Sequence, residues 1–228
     1  MSRRERFLAL RHSTPVILPS LLMCDFGDLR TEISKLAAAG IKSLHLDVMD
    51  GHFVPNLSYG MPIVAAIREL TDMPLDVHLM IEQPEKWIEP FYQAGADCIT
   101  FHAEATANPI EVCQSIRKLG AAAGVAINPP TPLSDLEPVL DHCDLALIMS
   151  VQAGWGGQSF EPVALEKLDQ LRTRAGSDVL LEVDGGVNRS TIANCSQAGA
   201  ELFVVGSAIF KNADYSPVVS ELSGLAGG

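Results

Sequence analysis

The segment AGIKSLHLD (residues 39–47) joins the end of a predicted helix to the start of a predicted strand. Ala39 and Gly40 close a helix-like stretch, because a glycine just past a helix readily takes the left-handed conformation. The apolar residues after them predict a strand over residues 42–47. The same order recurs at Gly95, Gly120, Gly176 and Gly199. Strands that alternate with helices in this way indicate β-α-β units and a parallel sheet.

Eight apolar segments fit this pattern and are predicted as strands over residues 16–20, 42–47, 75–80, 97–101, 123–127, 144–150, 179–183 and 201–205. Eight strand–helix units without a Pro- or Ser-rich linker predict a single TIM barrel, (β/α)8, of the α/β class. We assign residues 15–224 to this barrel and residues 1–14 to an N-terminal extension. A doubly wound open sheet is the alternative. In both folds, ligands bind beyond the C-terminal ends of the strands.

Charge and cysteine content narrow the classes of function. The formal net charge of −12 argues against nucleic acid and anionic membrane surfaces, which need clustered positive side chains. No apolar run approaches the roughly 18 residues of a membrane span. The five cysteines are odd in number and scattered, which predicts free thiols and a cytoplasmic location. The Arg-rich start lacks a secretory signal pattern, and an organellar presequence is the alternative to an extension.

Polar residues share one face of three predicted strands. His45 and Asp47 are two residues apart, as are Asp76 and His78. Glu182 and Asp184 are also in phase, and Asp184 is the last residue before two glycines. A lone histidine in a strand is usually a hydrogen-bonded core residue, and an Asp before Gly-Gly is usually a turn residue. Their convergence at one barrel end instead favours a site for Zn, Fe, Mn or Co. Two histidines and two aspartates from these three strands would supply the ligands.

His102 and Glu104, at the end of the fourth strand, are in phase with each other. They either orient the metal ligands or belong to a loop. We leave both outside the predicted site.

Three glycine-rich stretches follow the last three strands: AGWGGQSF (153–160), DGGVN (184–188) and VGSAIF (205–210). Loops after strands seven and eight commonly bind phosphate in barrel enzymes, because their backbone N–H groups and a helix N-terminus favour an anion. The first stretch fits a mobile lid over the substrate. A packed surface turn that buries Trp155 is the alternative.

Seven motifs occur together in order: LHLDVMDGHFVPN, DVHLM, FHAEA, NPPTP, MSVQAGWGGQSF, LEVDGGV and VGSAIF. From about Pro15 to Ser220, the chain resembles the ribulose-phosphate 3-epimerase family. The resemblance implies a barrel of the ribulose-phosphate-binding kind, which interconverts D-ribulose 5-phosphate and D-xylulose 5-phosphate in carbohydrate metabolism, including the pentose phosphate pathway. It implies one divalent metal held by His45, Asp47, His78 and Asp184. It also implies two acid/base residues, Asp47 and Asp184, that act through a metal-stabilised enediolate.

The resemblance also assigns a substrate site. Met49, Met80 and Met149 would surround the reacting carbons. The residues that would bind the substrate and its phosphate are Ser20, His78, Gly154, Trp155, Gly156, Gly157, Asp184, Gly185, Gly186, Gly206 and Ser207. We expect a small ketose phosphate as the ligand and a homo-oligomeric protein.

The chain departs from the family in the sixth loop, where Ala153 and Trp155 replace the usual Pro and Phe. Three alternative functions stay open. An epimerase for D-allulose 6-phosphate would use the same residues. A sugar-phosphate decarboxylase would need an Asp-x-Lys-x-x-Asp array, which the strand ends lack. A non-catalytic phosphate-binding barrel would not need the acid/base pair.

Overall fold

The computed structural model describes residues 1–176 and 178–228 as a ring of eight parallel strands. The strands pair in the order β1-β8-β7-β6-β5-β4-β3-β2, and a bridge between Ser20 and His45 joins the two ends. This arrangement confirms the (β/α)8 barrel and excludes the doubly wound open sheet. The strands are β1 Val16–Pro19, β2 Leu44–Met49, β3 Leu75–Met80, β4 Cys98–His102, β5 Ala122–Ile127, β6 Leu145–Met149, β7 Leu180–Asp184 and β8 Leu202–Val205.

Helices connect most strands and cover the outside of the barrel. The fifth connection differs from the prediction, because two 3₁₀ turns, Leu133–Asp135 and Glu137–His142, replace an α-helix there. Four prolines between residues 129 and 138 explain this, since proline lacks the N–H that a helix interior needs. The α-helices are α1 Arg3–Leu8, α2 Leu29–Ala38, α3 Met61–Leu70, α4 Ile88–Ala94, α5 Pro109–Leu119, α6 Val163–Arg174, α7 Ile192–Gln197, α8 Ser207–Phe210 and α9 Ser216–Gly227.

The predicted turns between helices and strands contain glycines with positive φ. Positive φ values occur at Gly40, Gly95, Gly120 and Gly199, as expected for glycines that follow helices. At the fifth predicted helix end, next to Gly176, α6 is instead followed by Ala175 in an extended conformation.

Strand β2 begins and ends two residues later than predicted. It pairs with β3 from Leu44 opposite Leu75 to Met49 opposite Met80. Met49, which lies beyond the predicted strand, is therefore a strand residue in phase with His45 and Asp47. The other face of β2, which includes Leu44 and Leu46, packs in the apolar layer between barrel and helices, as predicted.

The N-terminal segment packs against the N-terminal ends of the strands. Helix α1 is followed by a 3₁₀ turn, Ala9–Ser13, and Phe7 is fully buried in the cluster that fills the barrel interior. Arg4 donates to Asp144, just before β6, at 2.7 and 3.0 Å, and Arg6 donates to the buried Asp97, just before β4. The arginines at the start of the chain thus pair with carboxylates at the closed end of the barrel.

All five cysteines are free thiols, as predicted, and four of them are buried. Among the helices of the described ranges, none has the length and apolar character needed to cross a membrane.

Candidate active site

The polar residues predicted on three strands converge inside the C-terminal end of the barrel. His45 and Asp47 come from β2, His78 from β3 and Asp184 from the last position of β7. One nitrogen or oxygen atom from each residue lies within 4.8 Å of the corresponding atoms of the others. Strand register produces this grouping, because Asp47 lies directly opposite His78 in neighbouring strands.

Asp47 is at the centre of the group. Its Oδ1 lies 3.3 Å from His45 Nε2 and 3.1 Å from His78 Nδ1. The same nitrogen of His78 is 3.9 Å from Asp184 Oδ2. On the other side, the Ser20 hydroxyl donates to Asp47 Oδ2 at 2.6 Å. The two histidines therefore face one oxygen of Asp47, while Ser20 holds the other.

Two more carboxyl groups lie beneath His45, deeper in the barrel. Asp76 Oδ2 is 2.7 Å from His45 Nδ1, and its Oδ1 accepts from the Thr100 hydroxyl at 3.1 Å. Glu182 Oε1 is 3.3 Å from His45 Nδ1. Within the described part of the chain, His45 Nε2 and both Glu182 oxygens have no hydrogen-bond partner. The contact with Asp76 orients His45 so that Nε2 points at the group around Asp47.

The two aspartates that face the site differ in charge. Burial works against the charged form of Asp47, but the neighbouring His45 and His78 outweigh it and hold the pKa of Asp47 well below its usual value. For Asp184, burial and the charge of Asp47 raise the pKa to about 7. Burial and the charge of Asp76 also raise the pKa of Glu182 well above its usual value. Carboxyl groups are thus crowded at this end of the barrel, and Asp184 and Glu182 are held toward the neutral form.

These residues fit a divalent metal. Nε2 of the buried His45 is aimed at the group and has no hydrogen-bond partner among the described residues, so it is placed to serve as a ligand atom. A cation would also offset the crowded carboxylates that raise the pKa of Asp184. Two imidazoles and two carboxylates are ligand types that Zn, Fe, Mn and Co accept.

A cavity of about 420 Å³ opens above this group at the mouth of the barrel. His78 does not line it and lies fully buried beneath, beside Asp47. Every other predicted substrate residue contributes to its wall: Ser20, Met49, Met80, Met149, Gly154, Trp155, Gly156, Gly157, Asp184, Gly185, Gly186, Gly206 and Ser207. The sequence interpretation missed Leu22, Met23, Asn188 and Thr191, which also line the cavity.

The glycines after β7 are at one side of this cavity. Gly185 and Gly186 both have positive φ, at 115° and 61°. A Cβ on Gly186 would lie 2.7 Å from the Phe160 backbone nitrogen, and one on Gly185 would lie 2.5 Å from Val151 Cγ2. Neither position has room for a side chain. The backbone here is therefore close-packed and exposed to the cavity, and none of the cavity residues in the described ranges is a Lys or Arg.

The sixth loop projects over the cavity with Trp155 56% exposed. The interpretation of this loop as a turn that buries Trp155 is therefore wrong. Two hydrogen bonds hold the base of the loop in place. The Asn56 side chain donates to the Gly154 carbonyl at 2.8 Å, and the Ala153 N–H donates to Asn128 Oδ1 at 3.0 Å. Whether the loop closes as a lid stays a prediction.

His102, which we left outside the predicted site, lies directly behind His78. The Nε2 atoms of the two imidazoles are 2.9 Å apart, and both side chains are fully buried. The sequence signal for His102 was its position two residues before Glu104 at the end of a strand. Two residues of a loop give the same pattern.

Comparisons with known proteins agree with this geometry. The chain matches the model of the Ribulose-phosphate 3 epimerase family over residues 16–210. It is 46% identical over 216 residues to the ribulose-phosphate 3-epimerase of Mycobacterium leprae, which covers 93% of this chain and 96% of that protein. It is 48% identical over 211 residues to the corresponding protein of Synechocystis, which covers 90% of this chain and 91% of that one.

A solved structure supports the fold alone. The 3-keto-L-gulonate-6-phosphate decarboxylase of Vibrio cholerae superposes with a TM-score of 0.72 at 17% identity. The match covers 94% of this chain and 98% of that one. At this identity the likeness concerns the barrel and carries nothing about chemistry.

Proposed function

This chain belongs to the ribulose-phosphate 3-epimerase family, and from that premise we propose that it is an isomerase that interconverts D-ribulose 5-phosphate and D-xylulose 5-phosphate. The observation that carries the proposal is the pair of aspartates at the mouth of the barrel. Asp47 and Asp184 line the same cavity, and their pKa values are displaced in opposite directions. One carboxyl group is thus ready to accept a proton while the other is able to hold one.

Epimerisation at C3 removes the proton next to the C2 ketone and returns a proton to the opposite face. A single base would tend to return the proton to the face that it left. Two carboxyl groups solve this problem when each serves one face of the carbon. In the proposed reaction Asp47 accepts the proton in one direction while Asp184 donates one, and the roles reverse in the other direction.

Other side chains of the site prepare this exchange. The Ser20 hydroxyl holds one oxygen of Asp47, which leaves the other oxygen toward the histidines. Met49, Met80 and Met149 form an apolar part of the cavity wall and keep water from the reacting carbons. The glycine backbone at residues 185–186 and 206–207 offers N–H groups to the substrate phosphate without a cationic side chain.

His45, Asp47, His78 and Asp184 would hold the divalent metal. When bound, such an ion supplies positive charge that stabilises the enediolate. The shared use of Asp47 and Asp184 as ligands and acid/base groups means that both carboxyl groups titrate as a coupled set.

A coupled assay tests the proposal. Purified protein receives D-ribulose 5-phosphate with and without a chelator, and formation of D-xylulose 5-phosphate is followed. We expect turnover that the chelator abolishes and that added Zn²⁺, Mn²⁺, Fe²⁺ or Co²⁺ restores. Undiminished turnover after complete metal removal would overturn the metal dependence. A preference for D-allulose 6-phosphate in the parallel assay would overturn the substrate assignment.

A further inference from the structure

A line of polar side chains runs from His78 away from the cavity. His78 Nε2 is 2.9 Å from His102 Nε2, and His102 Nδ1 is 3.4 Å from Glu104 Oε2. His78 and His102 are fully buried on neighbouring strands, β3 and β4. The proposed reaction uses neither His102 nor Glu104, so the full burial of His102 between a proposed ligand and Glu104 calls for another role.

The two imidazoles restrict each other's protons. His78 Nδ1 faces Asp47 and Asp184, and a nitrogen can bind a metal only through a free lone pair. Without a bound cation, His78 Nδ1 and Asp47 Oδ1 are within hydrogen-bond distance and share a proton. A bound cation takes the place of that proton. Neutral His78 then carries its proton on Nε2, which needs an acceptor. His102 Nε2 is that acceptor if the proton of His102 is on Nδ1.

Glu104 accepts at the far end of the line. Burial works against its ionised form, but hydrogen bonds from His102, the Asn128 N–H and the Thr131 hydroxyl hold the pKa of Glu104 at about 2. The Asn128 N–H donates at 2.8 Å, and the Asn128 side-chain amide donates to the same oxygen at 3.3 Å. A carboxylate held in this way can accept from His102 Nδ1 and cannot donate to it. The Asn128 amide nitrogen lies 3.3 Å from the same Nδ1, and a hydrogen bond from it to Nδ1 would place the His78 proton on Nδ1 instead.

The surroundings keep both groups in place. The His102 ring lies between His78 and Phe53, with ring centroids at 5.0 and 4.8 Å. The ammonium of Lys167 donates to the carbonyls of Asn128, Pro129 and Thr131 at 2.6–2.9 Å, which fixes the turn that holds Glu104. Packing against two rings thus holds His102 in place, and the turn fixed by Lys167 holds Glu104.

We propose that His102 and Glu104 are positioning residues, which fix the proton of His78 on Nε2 and so aim the lone pair of Nδ1 at the metal site. This inference rests on the proposed function, because it presumes that His78 binds a metal there. A carboxylate behind a ligating histidine raises the basicity of the imidazole, and loss of such a partner commonly weakens metal binding by about 10–100-fold.

Zinc affinity and imidazole NMR test the inference. Metal-free wild type and the variants His102→Phe, His102→Gln and His52→Gln are titrated with Zn²⁺ against a chromophoric chelator. Phe keeps the ring shape but accepts no proton, whereas the side-chain oxygen of Gln still accepts from His78 Nε2. His52 is an exposed histidine at the same end of the barrel and serves as the control. Imidazole ¹⁵N shifts of the zinc-loaded wild type report which His78 nitrogen carries the proton.

We expect His102→Phe to bind zinc about 10–100-fold more weakly, His102→Gln to recover most of this loss, and His52→Gln to match wild type. We also expect the His78 proton on Nε2. Wild-type affinity in a folded His102→Phe, Gln no better than Phe, or a His78 proton on Nδ1 would each overturn the inference and leave the proposed function standing. If His102→Phe does not fold, His102→Gln and the wild-type spectrum decide. A wild type that binds no divalent metal overturns both the inference and the proposed metal dependence.

Discussion

Asp47 and Asp184 have the same side chain but different surroundings. Asp47 faces two imidazoles and a hydroxyl, whereas Asp184 faces Asp47 and lies at the edge of the cavity. The first environment favours the charged carboxylate and the second favours the neutral acid. One residue type can therefore supply both the carboxylate that accepts a proton and the carboxylic acid that donates one.

Replacing either aspartate by asparagine should nearly abolish turnover in both directions. Asparagine keeps the shape but cannot carry the proton, and general acid–base catalysis contributes about 10²–10⁴-fold. Initial rates from both sugar phosphates measure this for Asp47→Asn and Asp184→Asn. Asp141→Asn, at an exposed carboxylate in the fifth connection, is the matched control and should keep wild-type rates. A rate above a tenth of wild type in either variant would refute the acid/base assignment.

Sequence periodicity predicted the direction of a single side chain only where the residue lay in a strand. His45, Asp47 and His78 could be placed on one inward face because side chains alternate along a strand. His102 and Asn128 could not, because their roles depend on which strands become neighbours. A contact such as that between His78 and His102 joins residues 24 positions apart, and no local pattern specifies it.

At the scale of elements, the strand-to-loop turn at Gly185 and Gly186 shapes the proposed phosphate site. The backbone here has positive φ and no space for Cβ, and both glycines line the cavity. Replacement of Gly186 by alanine would press a methyl group against the Phe160 backbone and shift the turn.

Gly186→Ala should raise the KM for the sugar phosphate with a smaller effect on kcat. A hydrogen bond to a charged group is worth about 1.5–3 kcal/mol, so loss of one predicts a rise of roughly 10–100-fold. Steady-state kinetics measure the effect. Gly40→Ala is the control, because Gly40 also has positive φ but has open space around it and lies outside the site. An unchanged KM in Gly186→Ala would contradict the role of this turn.

The elements themselves followed from the sequence with two physical exceptions. The prolines between residues 129 and 138 replaced a helix with 3₁₀ turns, although the segment keeps the place of a connection. Strand β2 moved by two residues because its pairing with β3, not its own composition, fixes where it ends. Propensity and periodicity thus identify an element better than they set its boundaries.

The whole molecule is closed at the end opposite the site by its N-terminal segment. Phe7 fills the interior of the barrel, and Arg6 contacts a buried carboxylate 91 positions away. The sequence shows this segment as Arg-rich but does not identify its partners, because Asp97 and Asp144 lie far away along the chain, just before β4 and β6. Residues 3–13 are thus part of the packed molecule in this structure.

Phe7→Ala should lower the free energy of unfolding by about 3–5 kcal/mol, the usual cost of removing a buried aromatic ring. Chemical denaturation of the purified variant measures it. Phe26→Ala removes the same ring from a position that is 42% exposed and should cost much less. A loss in Phe7→Ala as small as that expected for an exposed ring would show that the N-terminal segment adds no specific stability.

The most direct test of the two-base account is the fate of the C3 hydrogen in D₂O. D-ribulose 5-phosphate is converted by wild-type protein, and substrate and product are examined by NMR during the first turnovers. If Asp47 and Asp184 each serve one face, the proton in the product comes from a carboxyl group equilibrated with solvent. The account predicts D-xylulose 5-phosphate with deuterium at C3 beside unreacted substrate that is still protiated. Product that retains the substrate's own C3 hydrogen would contradict it.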